Sequence, residues 1–184
     1  MSTIDRLLPC WNFAEKHSMQ VMPGIPAVAA VRSLTWSEVP LFRFLGSLAG
    51  RSTMTEHGSA IFLETMTNNA GGFSFLCDDP NEIVIGAVVP THPSLARIAL
   101  GDDPSAAAKT FFTFRQPGYY KVAFDFKIIG DRFVTETRVA TMDKATRRRF
   151  RIYWALIRIP SGMIRREWLH RGAARAIMFR EERK

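Results

Sequence analysis

The residues from Asp143 to Lys184 read as one long amphipathic helix, and this segment constrains the fold more tightly than any other. At about 100° per residue, Phe150, Tyr153, Trp154, Ile157, Ile164 and Trp168 fall on one face. Ile152, Leu156, Ile159 and Met163 form a second apolar stripe on roughly the opposite side, and Arg147, Arg151, Arg158 and Arg165 gather between the two. Two apolar stripes require two burial partners, so the rest of the chain is expected to wrap around this helix. The period continues in phase past Pro160, which predicts one kinked helix in which the Leu156 carbonyl lacks its usual donor.

The preceding segments supply the partners. Residues 1–13 read as an N-terminal tail that lies against the body through Leu7, Leu8, Trp11 and Phe13. Glu15 to Met22 alternates as a strand, with His17, Met19 and Val21 on one face. Ile25 to Leu34 reads as a short helix. Thr35 to Glu38 has the form of a capping box, the Thr35 hydroxyl taking an orphan backbone N–H and Glu38 reaching back, and it opens a second helix from Val39 to Gly50. From Ser59 the pattern becomes strand-like: Ala60 to Met66, Phe73 to Cys77, Glu82 to Val89 and Thr110 to Arg115, with a long loop over 90–105 that has the length of a lid. Tyr119 to Ile129 and Arg132 to Met142 form the clearest hairpin. A two-residue turn at Gly130-Asp131 sets Phe124 and Phe126 opposite Thr137 and Thr135. The other hairpin face carries Lys121, Asp125, Lys127, Arg132, Glu136 and Arg138 and is expected to be wet, with Glu136 and Arg138 forming an ion pair. This order predicts a single α+β domain over 1–184, a curved antiparallel sheet of about six or seven strands gripping the C-terminal helix, with two short helices after the first strand.

Two features exclude classes of protein. Cys10 and Cys77 are too few for a disulfide framework, and no apolar run approaches the ~20 residues needed to span a bilayer. With Asp5 and Arg6 interrupting the N-terminus, no signal peptide and a cytoplasmic location are expected. The net charge of +8 suits an anionic partner, and much of it lies in the C-terminal segment. Nucleic acid ranks last among such partners, because the arginines lack an accompanying stripe of exposed aromatics.

Thr135-Glu136-Thr137-Arg138-Val139, followed by Arg149 to Ile157 with its Tyr153-Trp154 pair and by Gly162-Met163-Ile164-Arg165-Arg166, carries a family likeness. In these fifty or so residues the chain resembles bacterial members, of no assigned activity, of the START-related, polyketide-cyclase-like (SRPBCC) superfamily. The earlier residues resemble it in element order alone. The resemblance implies a helix-grip fold and a site for a small hydrophobic molecule, lipid or polyketide-like, between sheet and helix. Some members of the superfamily catalyse cyclisation or dehydration there.

Phe75, Ile85, Phe112, Phe124 and Phe126 are the expected strand-borne lining, and Ile152, Leu156 and Ile159 that of the helix. Thr135 and Thr137 place hydroxyls in an otherwise apolar face, where the polar end of a ligand can meet them. No nucleophile motif, phosphate loop or metal-ligand spacing is present; His17, His57, His92 and His170 are scattered, and no cofactor is implied. If the cavity performs chemistry, general acid–base catalysis by Glu64, His17 or Tyr120 is the type that the available residues support. A third possibility is that the basic helix docks on an anionic membrane surface or a partner, in which case Ile152, Leu156, Ile159 and Met163 must be exposed.

Overall fold

The computed structural model describes residues 2–41, 58–67 and 72–181. A five-stranded antiparallel sheet has the order β1-β5-β4-β3-β2, with β1 Phe13–Gln20, β2 Ser74–Asp79, β3 Glu82–Pro90, β4 Tyr119–Ile129 and β5 Arg132–Thr141. The protein is thus α+β, with five strands among the described residues rather than six or seven, in a sheet that is only partly curled. Among the described residues the helices are α1 Thr3–Leu7, α2 Ala27–Arg32, α3 Phe62–Thr67, α4 Pro104–Thr113 and α5 Lys144–Glu181, and a 3-10 turn spans Trp36–Glu38.

The strand count falls because two segments expected to be extended are helical. Ala60 to Met66 contributes α3, and Thr110 to Arg115 contains the end of α4. In α4 the side chain of Asp103 accepts from the Ala106 amide at 2.6 Å and Pro104 occupies the first turn, so the helix is nucleated upstream of the Thr-Phe-Phe-Thr run. An alanine-rich first half then carries it through residues that on their own favour strands. At the 3-10 turn the expected capping box is present: Glu38 accepts from the Thr35 amide at 2.9 Å, and the Thr35 hydroxyl also lies 2.8 Å from the same carboxylate. Most of the helix expected from Val39 to Gly50 lies outside the described residues.

The hairpin has the expected register: Ile129 pairs with Arg132, Phe126 with Thr135 and Phe124 with Thr137. Gly130 at φ 61° supplies the positive dihedral that the turn requires. One sheet face packs Ile83, Ile85, Phe124, Phe126 and Phe133 against α2, α3 and α5. Trp168 of α5 sits at the centre, 4.9 Å from Phe62 and within 6 Å of Phe124 and Phe126, so this end of the interlayer space is filled by rings.

The opposite face, expected to be wet, is a second core. Val84, Val88, Ala123 and Ala140 meet Ile4 and Leu8 of the N-terminal segment and Ala107 and Phe111 of α4. Lys121, Asp125, Lys127, Glu136 and Arg138 are therefore buried and only Arg132 reaches solvent. Each buried charge has a partner. Lys127 Nζ donates to Asp125 at 2.5 Å, and Lys121 Nζ donates to the Phe111 carbonyl at 3.0 Å at the C-terminal end of α4, where a cation is favoured. Arg138 donates to Glu136 at 2.6 Å, as the sequence suggests, and also to Asp5 at 2.7 Å, with longer bonds to the carbonyls of Ile4 and Leu8. Its guanidinium lies 4.1 Å from the centre of the Trp11 ring. An alternating hairpin shows which residues share a face, but not whether a distant segment will cover the charged one.

α5 is continuous through Pro160 and about 57 Å long at 1.5 Å per residue. Asp143 fixes its start: its carboxylate accepts from the Gly118 amide at 2.6 Å and the Thr146 amide at 2.7 Å, which hold its pKa down to about 2. No helix among the described residues is long and apolar enough to cross a membrane.

Candidate functional site: a cleft between the first strand and the long helix

β1 is an edge strand whose residues alternate between half-buried and exposed. Its inward row, Phe13, Glu15, His17 and Met19, faces α5, and two ionisable groups stand in the middle of it. His17 Nε2 and Glu15 Oε1 are 2.9 Å apart. The helix passes directly over the pair at Gly162, where any side chain would collide with the Glu15 carboxylate. Phe13, Phe150 and Trp154 pack together at one end of this contact, with the Phe13 and Phe150 centroids 5.1 Å apart.

Between the edge strand and the helix lies an open cleft of about 610 Å³, within the range usual for small-molecule sites. Its floor is Glu15 and His17. Trp154, Ile159 and Met163 give the walls an apolar component, and Arg151, Arg158 and Arg166 a cationic one. Helical spacing produces the mixture: residues 151, 154, 155, 158, 159, 162 and 166 recur at three or four and so line one side of the rod.

Behind the floor, Arg165 points into the interlayer space. Its guanidinium carbon is 3.8 Å from the Phe124 ring centre and 4.6 Å from that of Trp168. Burial lowers its pKa to about 9, against the opposing pull of Asp125 and Glu15, and it stays charged at neutral pH. Among the described residues, Arg165 Nη1, Glu15 Oε2 and the Thr137 hydroxyl are buried without a hydrogen-bond partner. Glu15 and Thr137 are cross-strand partners, and Thr137 also pairs with Phe124, so these groups lie in one row across the sheet beneath the helix. Of the arginines that the helical wheel places between the two apolar stripes, Arg165 is buried, because its stretch of helix faces the sheet.

The expected lining residues are divided by this structure. Ile85, Phe124 and Phe126 are buried in the ring-filled core, and Phe75 is half-buried with the Arg32 guanidinium 5.7 Å from its ring centre. Phe112 is exposed on α4, on the other side of the sheet. Thr135 donates to the Asp125 carbonyl at 2.6 Å and is satisfied within the sheet, whereas Thr137 is not. Ile159 stands at the cleft, while Ile152 and Leu156 are exposed outside it. Of the acid–base candidates, His17 lies in the cleft, Glu64 is exposed on α3, and Tyr120 packs on Phe150 with centroids 4.6 Å apart. Glu15, Gly162 and Arg165 are not among the site residues expected from the sequence. The available signal was Glu15 two residues from His17 on the inward side of a strand otherwise lined by Phe13 and Met19.

No family model, curated protein or solved structure matches this chain. The site is therefore characterised by its own geometry. Among the described residues no three His, Cys, Asp or Glu side chains converge as metal ligands, and both cysteines are free thiols.

Proposed function

We propose that the cleft between β1 and α5 binds a small amphipathic organic anion, a lipid-like or polyketide-like molecule with an apolar body and an acidic or polar end. What carries this reading is the division of the cleft wall: Trp154, Ile159 and Met163 offer an apolar surface, and Arg151, Arg158 and Arg166 surround it with cations. The Glu15–His17 pair at the floor can orient a ligand hydroxyl or carbonyl, and Thr137 and Arg165 lie behind it with unused hydrogen-bonding capacity. The helix-grip description and kinship with the SRPBCC superfamily are part of the same proposal, supported by the element order and by a long final helix across an antiparallel sheet. The ligand's place differs from the one that likeness implies, since Trp168 and its neighbouring rings fill the inner space and leave the sheet edge open.

An acid–base pair in an apolar-walled cleft is also what a cyclase or dehydratase requires. The floor of Glu15 and His17 favours this second reading, in which the same cleft turns its ligand over.

The test uses a dansyl-labelled long-chain carboxylate, titrated without vesicles and below its aggregation threshold. Saturable binding with quenching of Trp154 fluorescence is expected. Arg158→Glu with Arg166→Glu should weaken it about ten-fold or more, the size of one lost charge-assisted hydrogen bond. Unsaturable binding, or binding indifferent to both arginines, refutes the proposal.

A further inference from the structure

Among the described residues nothing covers the outward side of α5. Ile152, Leu156, Ile159 and Met163 are 69%, 73%, 73% and 51% exposed, respectively, and form a continuous aliphatic crest along the middle of the helix. From Lys144 to Arg166 every charged residue is a cation, with no Asp or Glu among them. On the helical wheel Arg148, Arg149 and Arg166 flank the crest within about 60°, and all three are exposed. Among the described residues none of them enters an ion pair.

We infer that this crest docks on an anionic phospholipid surface, with α5 lying in the interfacial plane and its flanking arginines among the headgroups. An aliphatic stripe bordered by arginines matches an interface in which acyl chains lie beneath negative charge. The same charge pattern disfavours the other occupants. Two copies of the chain would bring like-charged crests together, and nucleic acid would find branched aliphatic side chains where bases need flat rings to stack on. Ile159 and Met163 belong to both crest and cleft wall, so docking places the cleft mouth at the lipid surface. The inference stands on the crest alone and holds whether or not the cleft takes a ligand.

The test is co-sedimentation of the whole protein with phosphatidylcholine vesicles containing about 30 mol% phosphatidylserine, compared with pure phosphatidylcholine. At least ~10-fold stronger partitioning onto the anionic vesicles is expected, falling as salt is raised. Ile152→Ser with Leu156→Ser, two crest residues outside the cleft, should abolish it while circular dichroism and thermal unfolding stay unchanged. Arg148→Gln with Arg149→Gln should remove the preference for anionic lipid. Probe binding in the cleft should survive both pairs of substitutions, which separates this inference from the cleft reading. Equal partitioning to both vesicles overturns it, as does vesicle binding indifferent to the serine pair. A dimer in sedimentation velocity that the serine pair dissolves overturns it in favour of a second copy.

Discussion

Gly162 stands so close above Glu15 that a methyl group on its Cα would overlap the Glu15 Oε1 atom and come within 3.2 Å of His17 Nε2. The helix crosses the edge strand at a residue without a side chain, and this contact sets the depth of the cleft floor. Gly162→Ala should displace the Glu15 carboxylate, the movable end of a long side chain, and break its contact with His17. Helix propensity gains up to about 1 kcal/mol from the change, so thermal stability should be held. The His17 ring resonances should shift, and probe binding in the cleft should weaken.

Gly172, ten residues further along the same helix, predicts the opposite balance. A methyl group there would meet Val31 Cγ2 and stand 3.2 Å from a Phe133 ring carbon, both inside the core. A β-branched side chain held by α2 cannot swing aside as a carboxylate can. Gly172→Ala should cost about 1–3 kcal/mol by overpacking, read from the urea midpoint.

The two hairpin threonines can be separated by one substitution each. Thr135→Val removes a hydroxyl that donates to the Asp125 carbonyl and should cost about 1 kcal/mol. Thr137→Val removes a buried hydroxyl with no partner, and equal or greater stability is expected on chemical denaturation. A substantial loss at Thr137 would show that its hydroxyl is bonded in solution.

Arg138 fastens α1 to the sheet. Arg138→Met leaves Glu136 buried without its cation and should destabilise the fold by about 3–5 kcal/mol. Amide exchange should rise first over residues 3–8, and Glu136→Gln added to Arg138→Met should recover part of the stability.

Stability should vary with pH in two windows. Asp5 is held well below the usual carboxylate pKa by the Ser2 hydroxyl and then by Arg138, and Asp143 at about 2 by backbone amides. Both therefore contribute stability that is complete above about pH 4 and is lost as the pH falls toward 2. Burial raises the pKa of Asp125, which works in the opposite sense and takes up a proton more readily in the folded chain. Asp5→Asn with Asp143→Asn should flatten the acid limb. At the alkaline end, burial lowers Lys121 to about 8, so the folded chain releases this proton before the unfolded one does. Stability contributed by this group should rise between pH 8 and 10.5, and Lys121→Met should remove that rise in urea titrations across the range.

Local rules made the hairpin, its register and the long helix legible in the sequence: strict alternation, a Gly-first turn and a sustained 3.6-residue period. What they could not show was coverage. Lys121, Asp125 and Glu136 alternate as a solvated face would, and only the arrival of α1 and α4 makes that face interior. α4 was misread because the Asp103 cap and the alanines that nucleate it stand upstream of the strand-favouring residues that end it. At the site His17 was legible, but Glu15 and Arg165 were not, because meeting beneath the helix requires a particular crossing of strand and rod.

The sheet order places β1, the first of its five strands to be synthesised, beside β5, the last of them. During translation β1 must wait, its hydrogen-bonding edge open, while β2 through β5 assemble as a meander. Every contact of the cleft joins this early strand to the final helix, so the loop to be closed is nearly the whole chain. The site is thus a late event of folding, absent from any nascent chain that has not yet released α5.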